Sequence, residues 1–168
     1  MTVTIAGVND VSGNSVAPNA TQFTVGPGPD IASPMVTATN PASGLVNVPT
    51  NAVIALRVNE PIDPSSVTPP TFQVSDNAIG QLVTGTYTVS GDGRTISFVA
   101  AAPLAISHSH SVFFSFAGIT DLAGNLLGAG GGLGNFSFTT GTTADTTGPE
   151  VAASSPAISS RRCRATCR

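Results

Sequence analysis

Val83-Thr84-Gly85-Thr86-Tyr87-Thr88-Val89-Ser90-Gly91-Asp92-Gly93-Arg94-Thr95-Ile96-Ser97-Phe98-Val99 reads as two short strands folded back on one tight turn. Apolar residues recur at every second position on both sides of the turn, the period of a half-buried strand. Between them, Ser90-Gly91-Asp92-Gly93 supplies two glycines for the positive φ that a tight hairpin needs.

The same grammar extends in both directions. Met35 to Thr39 forms a first strand, Ile54, Leu56 and Val58 alternate in a second, and Phe72 with Val74 marks a third. Beyond the hairpin, Val112, Phe114 and Phe116 alternate inward in a sixth strand, and Phe136 with Phe138 in a seventh. No segment has the apolar spacing and length of an amphipathic helix. About seven short antiparallel strands over a core of Ile, Leu, Val and Phe indicate an all-β chain folded as an Ig-like β-sandwich. The sequence has no tryptophan, and its two cysteines lie outside this region, so the resemblance is not to antibody domains.

Composition narrows the function classes. Charged residues make up 9% of the 168, and lysine is absent. Residues 1–160 hold nine acids and two bases, Arg57 and Arg94, an imbalance that repels a phosphate backbone and argues against nucleic acid as a partner. No apolar run is long enough to span a bilayer as a helix, so no membrane insertion is expected. The last ten residues, 159–168, break the pattern: four arginines surround Cys163 and Cys167. A lone Cys-x3-Cys pair without histidine is a poor zinc site, and this off-pattern tail is set apart from the fold.

Internal echoes set the domain plan. Gly7-Val8-Asn9-Asp10-Val11-Ser12-Gly13-Asn14 returns as Gly118-Ile119-Thr120-Asp121-Leu122-Ala123-Gly124-Asn125, and Phe23-Thr24-Val25-Gly26 as Phe138-Thr139-Thr140-Gly141. The spacing of about 110 residues suits one domain per repeat, whereas solenoids repeat every 20–50 or so. Residues 1–26 are therefore expected to be the last strands of a preceding repeat and 27–33 a linker. Residues 34–141 make a complete domain, 142–148 a second linker, and 149–158 the start of a following repeat. Because Met1 falls inside a repeat, the natural N-terminus is expected upstream, and a missing signal peptide carries no information.

Several stretches resemble the bacterial Ig-like domain of the S-layer (SbsA) type. These are Asn40-Pro41-Ala42-Ser43-Gly44, Val48-Pro49-Thr50-Asn51, Val58-Asn59-Glu60-Pro61-Ile62-Asp63, Ser90 to Thr95, Pro103-Leu104 and Thr120 to Asn125, in order across the central copy. The resemblance implies a module of a bacterial cell-surface or secreted protein, outside the cell, with neighbouring repeats of the same chain as its partners. It implies a non-catalytic structural or spacer role. The alternatives are a ligand-binding module for adhesion to a surface protein or glycan, and an accessory domain of an extracellular enzyme. One tyrosine and no tryptophan give little aromatic platform for a sugar.

In a sandwich whose chain reverses at each strand, three loops and the incoming linker share one end. They carry Asp30, Glu60, Asp63, Asp92 and Asp121. Two readings fit. Asp30, Glu60, Asp63 and Asp121 suit calcium, which takes six to eight oxygen ligands, at the junction with the preceding repeat. Alternatively, Asp121 and Asn125 bond their own turn, Asp92 serves its hairpin, and Glu60 and Asp63 are solvated. No cofactor other than this calcium is expected. His108 and His110, two apart, would share one side of a strand, but no third metal ligand is evident and an exposed loop or strand entry is expected. The run from Gly128 to Gly134 fits no phosphate-binding pattern and reads as a hairpin connection. With no nucleophile motif either, no catalytic residue is assigned and the chain is not expected to be an enzyme.

Overall fold

The computed structural model describes residues 1–26, 28–115, 118–128 and 133–152. Phe116, the middle of the glycine run, the following repeat beyond residue 152 and the tail 159–168 lie outside the described residues. The described residues form ten strands: β1 (Thr2–Ile5), β2 (Asn19–Gln22), β3 (Val36–Asn40), β4 (Ile54–Val58), β5 (Phe72–Asp76), β6 (Gln81–Leu82), β7 (Gly85–Val89), β8 (Thr95–Ala100), β9 (Ser109–Ser115) and β10 (Leu133–Thr139). A single 3-10 turn, Pro64–Ser66, interrupts them.

Two four-stranded antiparallel sheets face each other, in the orders β3-β4-β8-β7 and β10-β9-β5-β6. The expected alternation decides which residues meet between them. Ile54, Leu56, Val58, Ile96 and Phe98 point inward from the first sheet, and Phe72, Val74, Val112, Phe114, Phe136 and Phe138 from the second. Val48, Ile62, Leu104, Ile119 and Leu127 close the ends from the loops. Full burial of such a side chain contributes about 1.5–3 kcal/mol, so the core stands on packing alone. Tyr87 ties the sheets together: its hydroxyl donates to the Phe72 carbonyl at 2.8 Å, and its ring meets Phe72 edge-on at 5.9 Å and Phe98 at 5.1 Å.

The structure departs from the sequence expectation in four places. The expected fourth strand, Val83 to Val89, breaks: Val83 N donates to Val74 O at 2.8 Å, extending the pairing of Gln81–Leu82 with β5, while Gly85–Val89 pairs with β8 in the other sheet, so the described residues of the domain form eight strands instead of about seven. The first strand starts one residue later than Met35, because Met35 is occupied by Asn59: its amide donates to Asn59 Oδ1 at 2.6 Å and its carbonyl accepts from the Asn59 amide. Of the two hairpin glycines only Gly93 has a positive φ, +71°. Segment 44–48 runs along the outer edge of β10, where Val48 N donates to Thr139 O at 3.0 Å and Thr139 N to Leu45 O at 2.8 Å. That cover blunts an edge that would otherwise be open to another chain.

Residues 1–26 stay outside this core. β1 and β2 form a two-stranded sheet of their own, with every residue from 1 to 26 exposed. Both expected linkers, by contrast, are fastened to the sandwich. In the incoming linker the Asp30 carbonyl accepts from Asn125 Nδ2 at 3.2 Å, and at its end Pro34 is buried with its carbonyl accepting from Gly128 N at 2.7 Å. At the other end Asn51 grips the outgoing chain, its Nδ2 donating to Asp145 O at 2.7 Å and its Oδ1 accepting from Asp145 N at 2.9 Å.

Candidate functional site

Three acidic residues meet where the incoming linker reaches the sandwich. Asp30 comes from that linker, Glu60 from the β4–β5 loop and Asp121 from the β9–β10 loop, and one oxygen of each lies within 4.8 Å of the others. Backbone bonds between loops hold this end together: Asp63 N donates to Thr120 O at 2.8 Å and Ile62 N to Gly93 O at 3.0 Å.

Each carboxylate has a distinct environment. Asp121, 4% exposed, accepts at Oδ1 from the amides of Ala123 and Asn125, both at 2.8 Å, and at Oδ2 from the Asn125 side chain at 2.7 Å. Burial would raise its carboxyl, but these bonds outweigh burial and hold it below the ordinary value. Asp30 Oδ1 accepts from Ala32 N at 3.0 Å, and its carbonyl accepts from Asn125 Nδ2 at 3.2 Å. Glu60 differs. Its Oε1 is buried without a hydrogen-bond partner. Burial pushes the Glu60 carboxyl up, and Asp30 and Asp121 push the same way against a smaller pull from Arg94.

The two remaining aspartates expected at this end do not join the cluster. Asp63 Oδ1 accepts from the amide and hydroxyl of Ser65, both at 2.8 Å, capping the 3-10 turn. Asp92 Oδ1 accepts from the Ser90 hydroxyl at 2.5 Å and from Arg94 N at 3.1 Å within its own hairpin. The turn reading thus describes Asp92 and the bonds of Asp121 with Asn125. Three carboxylates with an unpaired buried oxygen have the donor chemistry of a hard cation. Calcium, at about 2.3–2.6 Å from each ligand, bridges oxygens up to about 5 Å apart.

The Asp121 turn has a counterpart. Asp10 Oδ1 accepts from the amides of Ser12 and Asn14 at 2.9 Å, and its Oδ2 from the Asn14 side chain at 2.9 Å. Gly13 and Gly124 both have positive φ, +87° and +91°. Val16 N donates to Val8 O, and Leu127 N to Ile119 O, each at 2.8 Å. The outgoing linker repeats the Asp30 turn as well, with Thr147 N donating to Asp145 Oδ1 at 2.9 Å. Asp145 stands relative to Pro149 as Asp30 does to Pro34, a match the sequence contains but that was not read from it.

The histidines occupy the opposite end and are not both exposed. His110 is fully buried, stacked on Phe138 at 5.4 Å, while the His108 side chain is one-third exposed. The partner missed in the sequence is Asp76, 4% exposed, whose Oδ2 lies 2.8 Å from His108 Nδ1. Asp76 pairs directly with His110 across β5 and β9, which are adjacent in the sheet but far apart in sequence. No local signal reveals that neighbourhood.

CopC from Methylosinus trichosporium OB3b is 17% identical with a TM-score of 0.51, over 69% of this chain and 100% of CopC. PcoC, a methionine-rich copper resistance protein from Escherichia coli, is 15% identical at TM-score 0.49, over 65% of this chain and 99% of PcoC. The S-layer protein SbsC is 16% identical at TM-score 0.48, over 66% of this chain. The match takes in 14% of the SbsC chain. Identities this low speak for fold and not for function. No curated protein matches the sequence. The family model described as bacterial Ig-like domain matches residues 30–140, from the cluster's linker aspartate to the end of the sandwich, and the chain belongs to that family.

Proposed function

We propose that the chain is a non-catalytic spacer from a tandem array of Ig-like modules in a bacterial cell-surface or secreted protein. The observation that carries this reading is the twofold occurrence of one turn. Asp10 with Asn14 and Asp121 with Asn125 make the same set of hydrogen bonds, and the first turn belongs to a hairpin outside the core of the complete domain. A hairpin with every residue exposed has the look of the last two strands of a sibling sandwich. Linkers bonded to both ends of the domain suit a load-bearing rod better than a flexible tether. Two or more consecutive complete repeats, measured by small-angle X-ray scattering, should give an elongated particle that lengthens by one module per repeat. A compact particle of constant length would refute the spacer role.

A second reading, calcium at the junction, is favoured by one observation, the buried unpartnered Oε1 of Glu60 between Asp30 and Asp121. In this reading the ion fixes the incoming linker to the loops and stiffens the joint. Calcium then raises the Tm of a two-repeat protein and chelation reverses the gain, with the response lost in Glu60→Gln. Glu60→Gln is preferred to Asp121→Ala because Asp121 also holds its own turn. An equal response in wild type and variant, or none in wild type, rejects calcium here.

A further inference from the structure

We infer that His110, Asp76 and His108 form a site for a first-row transition-metal ion at the end of the domain opposite the acidic cluster. His110 Nδ1 lies 3.2 Å from the His108 carbonyl. A carbonyl only accepts, so Nδ1 carries the proton and Nε2 of the neutral ring is a bare lone pair. That Nε2 is buried and has no hydrogen-bond partner. It faces Asp76 Oδ2 at 3.9 Å, a group that is itself an acceptor. Asp76 Oδ2 already accepts from His108 Nδ1, so the unmet acceptor is His110 Nε2, and a cation seated between Nε2 and the carboxylate would satisfy it.

The neighbouring groups fit a metal in that place. Desolvation of the buried His110 ring favours the neutral form over the imidazolium. Burial would raise the Asp76 carboxyl, but the His108 side chain and the Ala78 amide, at 2.9 Å, overcome it and keep it ionised. Zinc bound at about 2.0–2.2 Å to nitrogen and oxygen in tetrahedral geometry sets its ligands about 3.4 Å apart, so the 3.9 Å gap needs only a small closure. His108 Nδ1 donates to the same carboxylate, and its one-third exposed ring would join the ion by turning out of that bond. Two imidazoles and one carboxylate select zinc-like ions over calcium or magnesium.

The surroundings are rigid where rigidity is required. His110 is clamped against Phe138, and the His108 backbone is tied to Thr140, whose Oγ1 accepts from His108 N at 3.0 Å. Asp76 and His110 both line a surface cavity of about 220 Å³. Three protein ligands leave a fourth position for water or for a donor from outside. The ion would cross-link β5 to β9, and its site shares no residue with the acidic junction.

The test uses the full chain carrying Cys163→Ser and Cys167→Ser, so that the tail thiols do not compete for metal. Zinc chloride should raise the Tm by about 4 °C or more at saturation, reversed by EDTA. In imidazole-detected NMR the His110 Nε2 and His108 resonances should move together. His108→Ala, a partly exposed position that leaves the core intact, should weaken zinc at least tenfold, and Asp76→Asn should do the same. An unchanged Tm with unmoved His110 resonances overturns the site, as does a His108→Ala protein that binds as tightly as its parent. An imidazolium at His110 that is indifferent to zinc also overturns it.

Discussion

Glu60 and Asp121 belong to one cluster but move in opposite directions, because one oxygen set is satisfied and the other is not. Asp121 meets three donors, so its ionised form is stabilised. That stability is complete above the ordinary aspartate value of 3.8 and is lost as pH falls through the lower folded value. Glu60 has its carboxyl raised above 4.5, so its ionised form costs stability that grows as pH rises through the folded value. Glu60→Gln in EDTA should therefore stabilise the domain at neutral pH and have no effect below about pH 4, where the carboxyl is protonated in both states. Urea denaturation at a series of pH values measures this, and a variant less stable than wild type at pH 7 would contradict it. The two copies of the turn give a second prediction. Asp121→Ala should cost on the order of 3 kcal/mol by removing a buried carboxylate and the three bonds it accepts from Ala123 and Asn125. Asp10→Ala, whose donors are exposed, should leave the main unfolding transition in place. Equal losses would show that the first hairpin folds as part of the sandwich. Asp63 and Asp92 look like cluster members in sequence because spacing places them at the right end. Their carboxylates instead serve donors two residues away, and only the folded loops decide which way they turn.

At the level of elements, the alternation of apolar residues was legible wherever both neighbours of a strand lay in the same sheet. Ile54–Val58 and Phe72–Asp76 follow the expected pattern of inward residues because each is central in its sheet. Val83 to Val89 obeys the same pattern yet splits, since Leu82 and Gly85 pair with different sheets across a gap. A period of two identifies a strand but not its partner. The fastening of the outgoing linker was likewise not legible. Its Gly- and Thr-rich sequence has no feature that announces the two hydrogen bonds from Asn51. Asn51→Ala should lower global stability by about 1 kcal/mol or less and speed amide exchange at Asp145 about tenfold. Unchanged exchange at Asp145 would mean that the linker is held by other contacts.

On the scale of the whole molecule, the core of the sandwich lies between Val48 and Phe138, and no residue from 1 to 26 contributes to it. Removing residues 1–26 should leave the Tm unchanged in scanning calorimetry, and a marked fall would assign the first hairpin a structural role. The family match over 30–140 includes the linker aspartate, Asp30. By itself the sequence determined the all-β sandwich and the gathering of acids at one end. Strand period, turn glycines and reversal of chain direction are local rules that hold before any long-range contact forms. Only the tertiary structure decided that Glu60 keeps an unpaired oxygen, that Asp76 stands beside His110, and that one predicted strand serves two sheets. Those facts depend on which distant strands become neighbours and which side chains lose water there, and no stretch of local sequence encodes either.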